Sequence, residues 1–241
     1  PTQGLYNHYQ WWKDGTLLSA NDDFELILPV VQLSDAGRYW ITVTNDSVPN
    51  LELTSMPIHL EVEENCIHND SLALVSLYNA TNGEEWTNDT NWLTGPVNSW
   101  FGVEADDCYV TNLHLENNNL NGTIPWEIGE LSSVEHLSFR NNQLTGNIPE
   151  EIGLLTELFS LDLSSNQFVG YIPSELGNLH KLESFFLDNN LLNGPIPEEL
   201  GNITELQNVN FCCNNLEGTI PGSIGNWSKL DELWLDNNNL S

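Results

Sequence analysis

From Val110 onward, apolar and polar positions follow a strict 24-residue period. The first copy, residues 110–133, reads VTNLHLENNNLNGTIPWEIGELSS, and four further complete copies and half of a sixth follow without insertion. In each copy two apolar residues are separated by a polar one, as Leu113 and Leu115 are, and this two-residue period predicts a short strand with one buried face. One coil cannot bury its apolar side alone, whereas stacked coils can, so the repeat predicts a solenoid.

Every copy also carries an asparagine where the chain leaves the predicted strand. An amide at this fixed position can satisfy backbone groups that would cost about 1–3 kcal/mol each if they were buried unpaired. We therefore expect a ladder of buried asparagines, formed by Asn118, Asn142, Asn166, Asn190, Asn214 and Asn238. A Gly-x-Ile-Pro stretch follows, and its proline ends strand pairing because it lacks an N–H group and has a fixed φ.

The pattern LxxLxLxxNxLxGxIPxxLGxLxx in residues 110–241 resembles the plant-type leucine-rich repeat, known from plant receptor ectodomains and from secreted bacterial and algal proteins. The resemblance implies a curved solenoid with a parallel sheet on its concave face. It also implies a second short sheet at the Gly-x-Ile-Pro stretch and 3₁₀ turns on the convex side.

Residues 66–109 resemble the N-terminal cap of the same family, including its NWL and W-x-G-V elements. We expect a short helix, N-capped by Asp70 or Ser71, whose apolar stripe is formed by Leu72, Val75 and Leu77 together with Ala73 and Leu74. Three tryptophans are interpreted as the core of the cap, with a sugar-binding platform as the alternative: Trp86, Trp92 and Trp100.

Four cysteines fall into two pairs. Cys66 and Cys108 bracket the cap, where the family commonly carries a cysteine pair, and the resemblance therefore implies a disulfide and an oxidising compartment. A metal site is the alternative, for which His68 alone is weak support. Cys212 and Cys213 are adjacent, and a disulfide between neighbours is strained, so we interpret them as two unpaired thiols; a redox or metal role is the alternative.

Residues 1–64 lack the 24-residue period and predict strands in segments 9–15, 24–31, 33–45 and 51–63, the last interrupted by Pro57. The Asp-Ala-Gly-x-Tyr sequence at 35–39 predicts a tyrosine corner.

This segment resembles an immunoglobulin-like β-sandwich, and such modules occur in bacterial extracellular multidomain proteins. Trp11 stands where the core tryptophan of that fold is expected. Ile41 replaces the usual cysteine, and the first two strands are missing, so we expect a partial sandwich without its inter-sheet disulfide.

The predicted fold is therefore mainly β, with a partial immunoglobulin-like sandwich (1–64), a leucine-rich-repeat cap with a small helix (66–109) and the solenoid (110–241). We interpret the chain as a piece of a longer protein, because its last repeat is half complete.

Charge and motif content narrow the function. The chain carries 35 acidic and five Lys or Arg residues, a formal net charge of −30, which argues against a nucleic-acid partner because phosphate binding needs cations. The sequence contains no run of 18 apolar residues, so it predicts no membrane span. No constellation predicts catalysis, so we expect a non-enzyme with no cofactor and no metal.

We expect an extracellular or cell-surface recognition module that binds a protein or carbohydrate, neutral or basic, on the concave face of the solenoid. Alternatives are a structural spacer or adhesin stalk, or an accessory region of a larger enzyme or receptor. The candidate binding residues are His114, His136, Arg140, Asp162, Phe186, Asp188, Asn210 and Trp234. Phe186 and Trp234 are the strongest candidates, because aromatic residues are enriched at binding hot spots.

The cysteine assignment gives a first prediction. Alkylation of the protein without reductant, followed by peptide mass analysis, should label Cys212 and Cys213 only. Label on Cys66 or Cys108 would contradict the disulfide and remove the argument for an oxidising compartment.

Overall fold

A computed structural model describes residues 7–19, 26, 35–48, 52–60, 68–106 and 109–241. The chain forms two compact units, Pro1–Asn65 and Cys66–Ser241. Cys66, Cys108 and nearly all of the predicted strand 24–31 lie outside the described residues.

The first unit is an antiparallel sheet in the order β2-β1-β3-β4, with β5 also paired to β3. Its strands are β1 (Asn7–Lys13), β2 (Thr16–Ser19), β3 (Gly37–Asn45), β4 (Glu52–Thr54) and β5 (Ile58–Leu60). The break between β4 and β5 contains Pro57, which cannot donate a ladder hydrogen bond.

Tyr39 holds the start of β3, because its hydroxyl donates to the carbonyl of Asp35 at 2.5 Å. Tyr9, Tyr39 and Ile41 are buried, whereas Trp11, which the sequence placed in the core, is only half-buried opposite Ile41. The described residues of this unit form one sheet, and no second sheet of a sandwich lies among them.

The second unit begins with helix α1 (His68–Ala80), and its main sheet has seven strands in the order β17-β15-β13-β11-β9-β7-β6. These strands are β6 (Val103–Ala105), β7 (Val110–His114), β9 (His136–Ser138), β11 (Ser160–Asp162), β13 (Ser184–Phe186), β15 (Asn208–Asn210) and β17 (Glu232–Trp234). All pairs are parallel except β6 with β7. The antiparallel β6 therefore covers the edge of the first repeat strand.

The intervening strands form two short parallel sheets at the Gly-x-Ile-Pro stretches. They are β8 (Asn121–Gly122), β10 (Gln143–Gly146), β12 (Gln167–Phe168), β14 (Asn193–Gly194), β16 (Asn215–Gly218) and β18 (Asn239–Leu240). A 3₁₀ helix then crosses the opposite side of each coil, at Trp126–Glu130, Glu150–Leu154, Ser174–Asn178, Glu198–Asn202 and Gly222–Asn226. Two further 3₁₀ helices lie in the cap, at Gly83–Glu85 and Val97–Ser99.

Glycine permits the 3₁₀ segments to stack closely. A Cβ atom at Gly153 would lie 2.4 Å from the carbonyl oxygen of Glu175, and one at Gly177 would lie 2.4 Å from that of Glu199. The atom that such a Cβ would meet belongs to the backbone of the next coil and cannot move aside, so a larger residue would force adjacent coils apart.

The repeated asparagines bind each coil to the one before it. The side-chain amide of Asn166 donates to the carbonyls of Phe139, Leu163 and Ser164 at 2.9–3.2 Å, and its oxygen accepts from the N–H of Leu144 at 3.0 Å. Asn190, Asn214 and Asn238 repeat this pattern at the corresponding positions. Four of the six are buried; Asn142 and Asn238 are half-buried.

The first asparagine uses the cap in place of a preceding coil. The amide of Asn118 donates to the carbonyl of Asn88 at 3.0 Å, and its oxygen accepts from the N–H of Asn88 at 2.7 Å. The cap thus presents the same hydrogen-bonding groups as a repeat.

The cap core is aromatic. Trp86, Trp92 and Trp100 are buried, with ring centroids 4.7 and 4.9 Å apart along the series. Each indole N–H donates to a backbone carbonyl. The rings therefore pack inside the cap and leave no stacking platform for a sugar.

Two details of the predicted cap helix are wrong. Leu72 is 54% exposed and lies outside the apolar stripe, whereas Ala73, Leu74 and Leu77 face the core as predicted. Neither Asp70 nor Ser71 is the N-cap, since α1 begins at His68. The buried carboxylate of Asp70 instead accepts a 2.7 Å hydrogen bond from the N–H of Val110, the first residue of β7.

None of the helices in the described ranges has both the length and the apolar content needed to cross a bilayer.

The asparagine ladder predicts a large stability effect at a single position. Asn166→Ala removes one acceptor and two amide protons from buried backbone partners, so we expect unfolding free energy in urea to fall by about 2 kcal/mol or more. The exposed Asn193 provides the matched control, and Asn193→Ala should change stability by roughly 0.5 kcal/mol or less. Equal effects of the two changes would contradict the role of the ladder.

The pKa of Asp70 gives a pH-dependent prediction. Burial raises this pKa above its usual value, and the Asp106 charge adds to the rise, although the hydrogen bond from Val110 opposes it. Because the folded-state pKa is raised, the associated stability is present at acid pH and is lost as pH rises through that pKa. Asp70→Asn keeps an acceptor without a charge.

We therefore expect the unfolding free energy of the wild type, relative to Asp70→Asn, to fall between about pH 4 and pH 7. Chemical denaturation at both pH values measures this difference, with Glu130→Gln as the exposed-carboxylate control. A difference that grows in favour of the wild type with rising pH would contradict burial as the dominant cause.

Candidate functional site

The outward side chains of the seven-stranded sheet form a surface that we call the sheet face. The parallel register places residues 24 apart side by side on neighbouring strands, as Asp162 pairs with Phe186 and Asn210 with Trp234. The central column runs His114, Ser138, Asp162, Phe186, Asn210, Trp234, and the column two residues later runs Glu116, Arg140, Ser164, Asp188, Cys212, Asp236. Buried apolar residues on either side of the central column, such as Leu161 and Leu163, fix its spacing.

Aromatic rings cross the first strands of the sheet face diagonally. His114 and His136 are stacked with centroids 6.5 Å apart, and His136 lies 6.4 Å from the ring of Phe159. Nδ1 of His114 also lies 3.4 Å from a carboxylate oxygen of Glu116. All three rings are only partly buried, so a ligand on these strands would meet a continuous aromatic edge.

A second aromatic pair occupies the last strands. Phe186 is half-buried, Trp234 is 40% exposed, and Asn210 lies between them on β15. The oxygen of Asn210 accepts from the N–H of Cys212 at 3.0 Å. The amide between the two rings is therefore held in one orientation by the backbone.

At the carboxyl ends of the first three repeat strands, on the same coils as the first aromatic group, lies a polar depression of about 640 Å³, whose lining includes Glu116, Arg140 and Asp162. Arg140 is the only Lys or Arg in the two columns and is exposed. Asp162 accepts hydrogen bonds from the N–H and the hydroxyl of Ser164. The pKa of Asp188 is raised, by burial first and then by the charge of Asp162, while the hydrogen bond from Asn189 and the Arg140 charge oppose the rise.

A depression of similar size, about 680 Å³, lies away from the sheet face along the Ile-Pro segments of three coils. Tyr171, which is 68% exposed, forms part of its wall with Pro149, Pro173 and Pro197. No Lys or Arg side chain lines this depression, and the charged side chains in its wall are those of Glu150, Glu151 and Glu175. We favour the sheet face because it combines aromatic, cationic and acidic groups on one rigid surface.

The structure distributes the candidate residues over two clusters. His114 and His136 lie on the first strands, with Arg140 just after β9. Phe186, Asn210 and Trp234 lie on the last strands, with Asp188 just after β13, and Asp162 lies between the two clusters on β11. Sequence analysis missed Phe159, which precedes β11 at a position that is polar in the other copies (Thr111, Glu135, Glu183, Gln207, Asp231). That departure from the column was the signal available to find it.

Two family models match segments of the solenoid. Residues 108–168 match a model described as Leucine rich repeat, and residues 181–203 and 205–227 match a second model described as Leucine Rich Repeat. These segments are leucine-rich repeats. No curated protein matches the chain at a significant level.

Solved structures with the same architecture include plant receptor ectodomains. The PEPR1–AtPEP1 structure is 35% identical with a TM-score of 0.64, over 71% of this chain and 25% of that one. The Arabidopsis receptor kinase HAESA, in complex with the peptide hormone IDA and the co-receptor SERK1, is 31% identical with a TM-score of 0.66, over 72% of this chain and 30% of that one. The BIR3–SERK2 complex from Arabidopsis thaliana is 28% identical with a TM-score of 0.60, over 71% of this chain and 95% of that one. The repeats here therefore span under a third of the PEPR1 and HAESA chains.

Proposed function

We propose that the solenoid is a non-catalytic, extracellular recognition module that binds an extended peptide or protein segment on its sheet face. The observation that carries the proposal is the pair of partly exposed aromatic rings, Phe186 and Trp234, held on the last strands beside a fixed amide. Solvent contact alone favours polar residues at such positions, whereas aromatic residues dominate binding hot spots.

Rigidity supports the same function. Each strand of the sheet face is bound to its neighbours by the ladder and by backbone hydrogen bonds, so the binding groups are held in place before a ligand arrives. A preorganised surface loses little conformational entropy on binding. The similar ectodomains of PEPR1 and HAESA were solved with AtPEP1 and with the peptide hormone IDA, respectively, which agrees with a peptide-binding role and an extracellular location here.

The charge of the face restricts the ligand. The two columns of the sheet face carry four carboxylates, Glu116, Asp162, Asp188 and Asp236, and a single guanidinium, that of Arg140. A ligand with basic and apolar groups would complement this distribution, and a polyanion would be repelled. We therefore propose a neutral or basic peptide and expect its affinity to fall as salt concentration rises.

We also propose that residues 1–64 belong to an immunoglobulin-like module. The antiparallel pairing of β1 with β3, the hydrogen bond from Tyr39 to Asp35 and the position of Pro57 support this assignment. Such a module would connect the recognition unit to other extracellular domains.

The binding proposal predicts the effect of removing the two rings. A binding peptide is first selected from an immobilised library, and a glycan array is screened in parallel. The selected peptide is then titrated into the protein by calorimetry. Truncating two hot-spot aromatics, Phe186→Ala with Trp234→Ala, should cost about 2 kcal/mol or more, which is roughly a thirtyfold loss of affinity.

The control removes two aromatic side chains that are more exposed and lie elsewhere on the surface. Trp126 and Tyr171 are 59% and 68% exposed and lie away from the sheet face, so Trp126→Ala with Tyr171→Ala should leave affinity within about threefold. Unchanged binding in the Phe186 and Trp234 variant would place the site off the sheet face. Failure to select any peptide would favour the spacer function, and selection of glycans alone would contradict a peptide ligand.

A further inference from the structure

Two thiols and a carboxylate converge at one end of the sheet face. Cys212 and Cys213 follow β15, and Asp236 follows β17 on the next coil. The N–H of Cys213 donates to the carbonyl of Asp236 at 3.0 Å, which aligns the two loops. Since the coils stack without insertion, Asp188, Cys212 and Asp236 form one row of neighbouring side chains.

The donor atoms are close enough to share one ion. The two Sγ atoms lie 3.2 Å apart, and both lie within 4.8 Å of a carboxylate oxygen of Asp236. A zinc-class ion binds thiolate at about 2.3 Å and carboxylate at about 2.0–2.2 Å, so the sulfurs need little adjustment. Asp236 is exposed, and its side chain has the rotamer freedom to close the remaining gap.

An outer partner already orients the cluster. The amide nitrogen of Asn237 lies 2.6 Å from an oxygen of Asp236 and 3.7 Å from Sγ of Cys213. Hydrogen bonds of this kind fix the direction of ligand atoms in metal sites. The five other copies carry Glu116-Asn117, Arg140-Asn141, Ser164-Ser165, Asp188-Asn189 and Asp236-Asn237 here, so the fifth coil alone supplies soft donors.

Two carboxylates flank the thiols in the same row, Asp188 on the preceding coil and Asp236 on the next coil. The same carboxylates attract a divalent cation, which displaces the thiol proton on binding.

We propose that Cys212, Cys213 and Asp236 form a binding site for a thiophilic divalent cation of the zinc class. Two thiolates and one carboxylate supply three ligands and leave a fourth position open to water or to a group of a bound ligand. The site departs from the sequence-based expectation of two unpaired thiols and no metal. Binding releases the two thiol protons, and the M²⁺ ion takes their place.

The test is titration of the reduced full chain with Cd²⁺, followed by the ultraviolet charge-transfer absorption of the cadmium–thiolate bond. We expect one equivalent to bind, with release of about two protons near neutral pH. Cys212→Ser and Cys213→Ser should each abolish the high-affinity absorption, although both retain Cys66 and Cys108. Asp236→Asn should weaken binding by about tenfold or more.

Asp162→Asn, which removes a carboxylate of the sheet face outside the cluster, is the matched control and should leave Cd²⁺ affinity unchanged. Absence of the absorption in the reduced wild type would overturn the proposal. Its persistence in the Cys212→Ser, Cys213→Ser double variant would also overturn it, because the ion would then be bound by other thiols. Neither outcome depends on the peptide ligand, so the two proposals fail separately.

Discussion

The hydrogen bonds of one repeated amide determine most of this structure. From Asn142 onward, each ladder asparagine donates to carbonyls of its own coil and of the preceding coil, and accepts from an N–H of the preceding coil. The short asparagine side chain places two donor hydrogens and an acceptor oxygen in one plane close to the backbone, whereas glutamine carries the same group on a longer side chain. The ladder therefore fixes the separation and rotation of successive coils. The parallel register of the sheet face and the close approach at the 3₁₀ segments both follow from it.

The cap shows how the ladder is started. The first asparagine needs partners that no preceding coil can supply, and Asn88 provides them from an irregular loop supported by three buried tryptophans. Asp70 performs a related task at the strand, where it accepts from the N–H of Val110. The burial of a carboxylate is unfavourable, and its raised pKa records that cost. The cap thus combines apolar cover with polar groups that continue the hydrogen-bond pattern.

The 24-residue period of the sequence predicted the repeating part of the fold. Predictions failed for residues whose positions depend on contacts that occur only once in the structure. The strands, the 3₁₀ segments and the interior leucines all recur every 24 residues, so one copy informs the other five. The start of α1 and the exposure of Leu72 occur once each and depend on packing against the first 3₁₀ helix of the repeats (Trp126–Glu130), which no repeat reveals. Similarly, the sheet-face columns follow from register, but the proximity of the Cys212 thiol to the Asp236 carboxylate is apparent only when adjacent coils are placed side by side.

The distribution of charge separates the two sides of the solenoid. On the sheet face, carboxylates never occupy neighbouring coils within either outward column, so no two like charges are stacked directly there. On the opposite side, Glu127, Glu151, Glu175 and Glu199 form an unbroken column. Each of these lies in the first turn of a 3₁₀ helix, where unpaired N–H groups favour a negative charge. That stabilisation opposes the repulsion between coils. The sheet face, with its charges spaced apart, can instead present aromatic rings, one guanidinium and a pair of thiols.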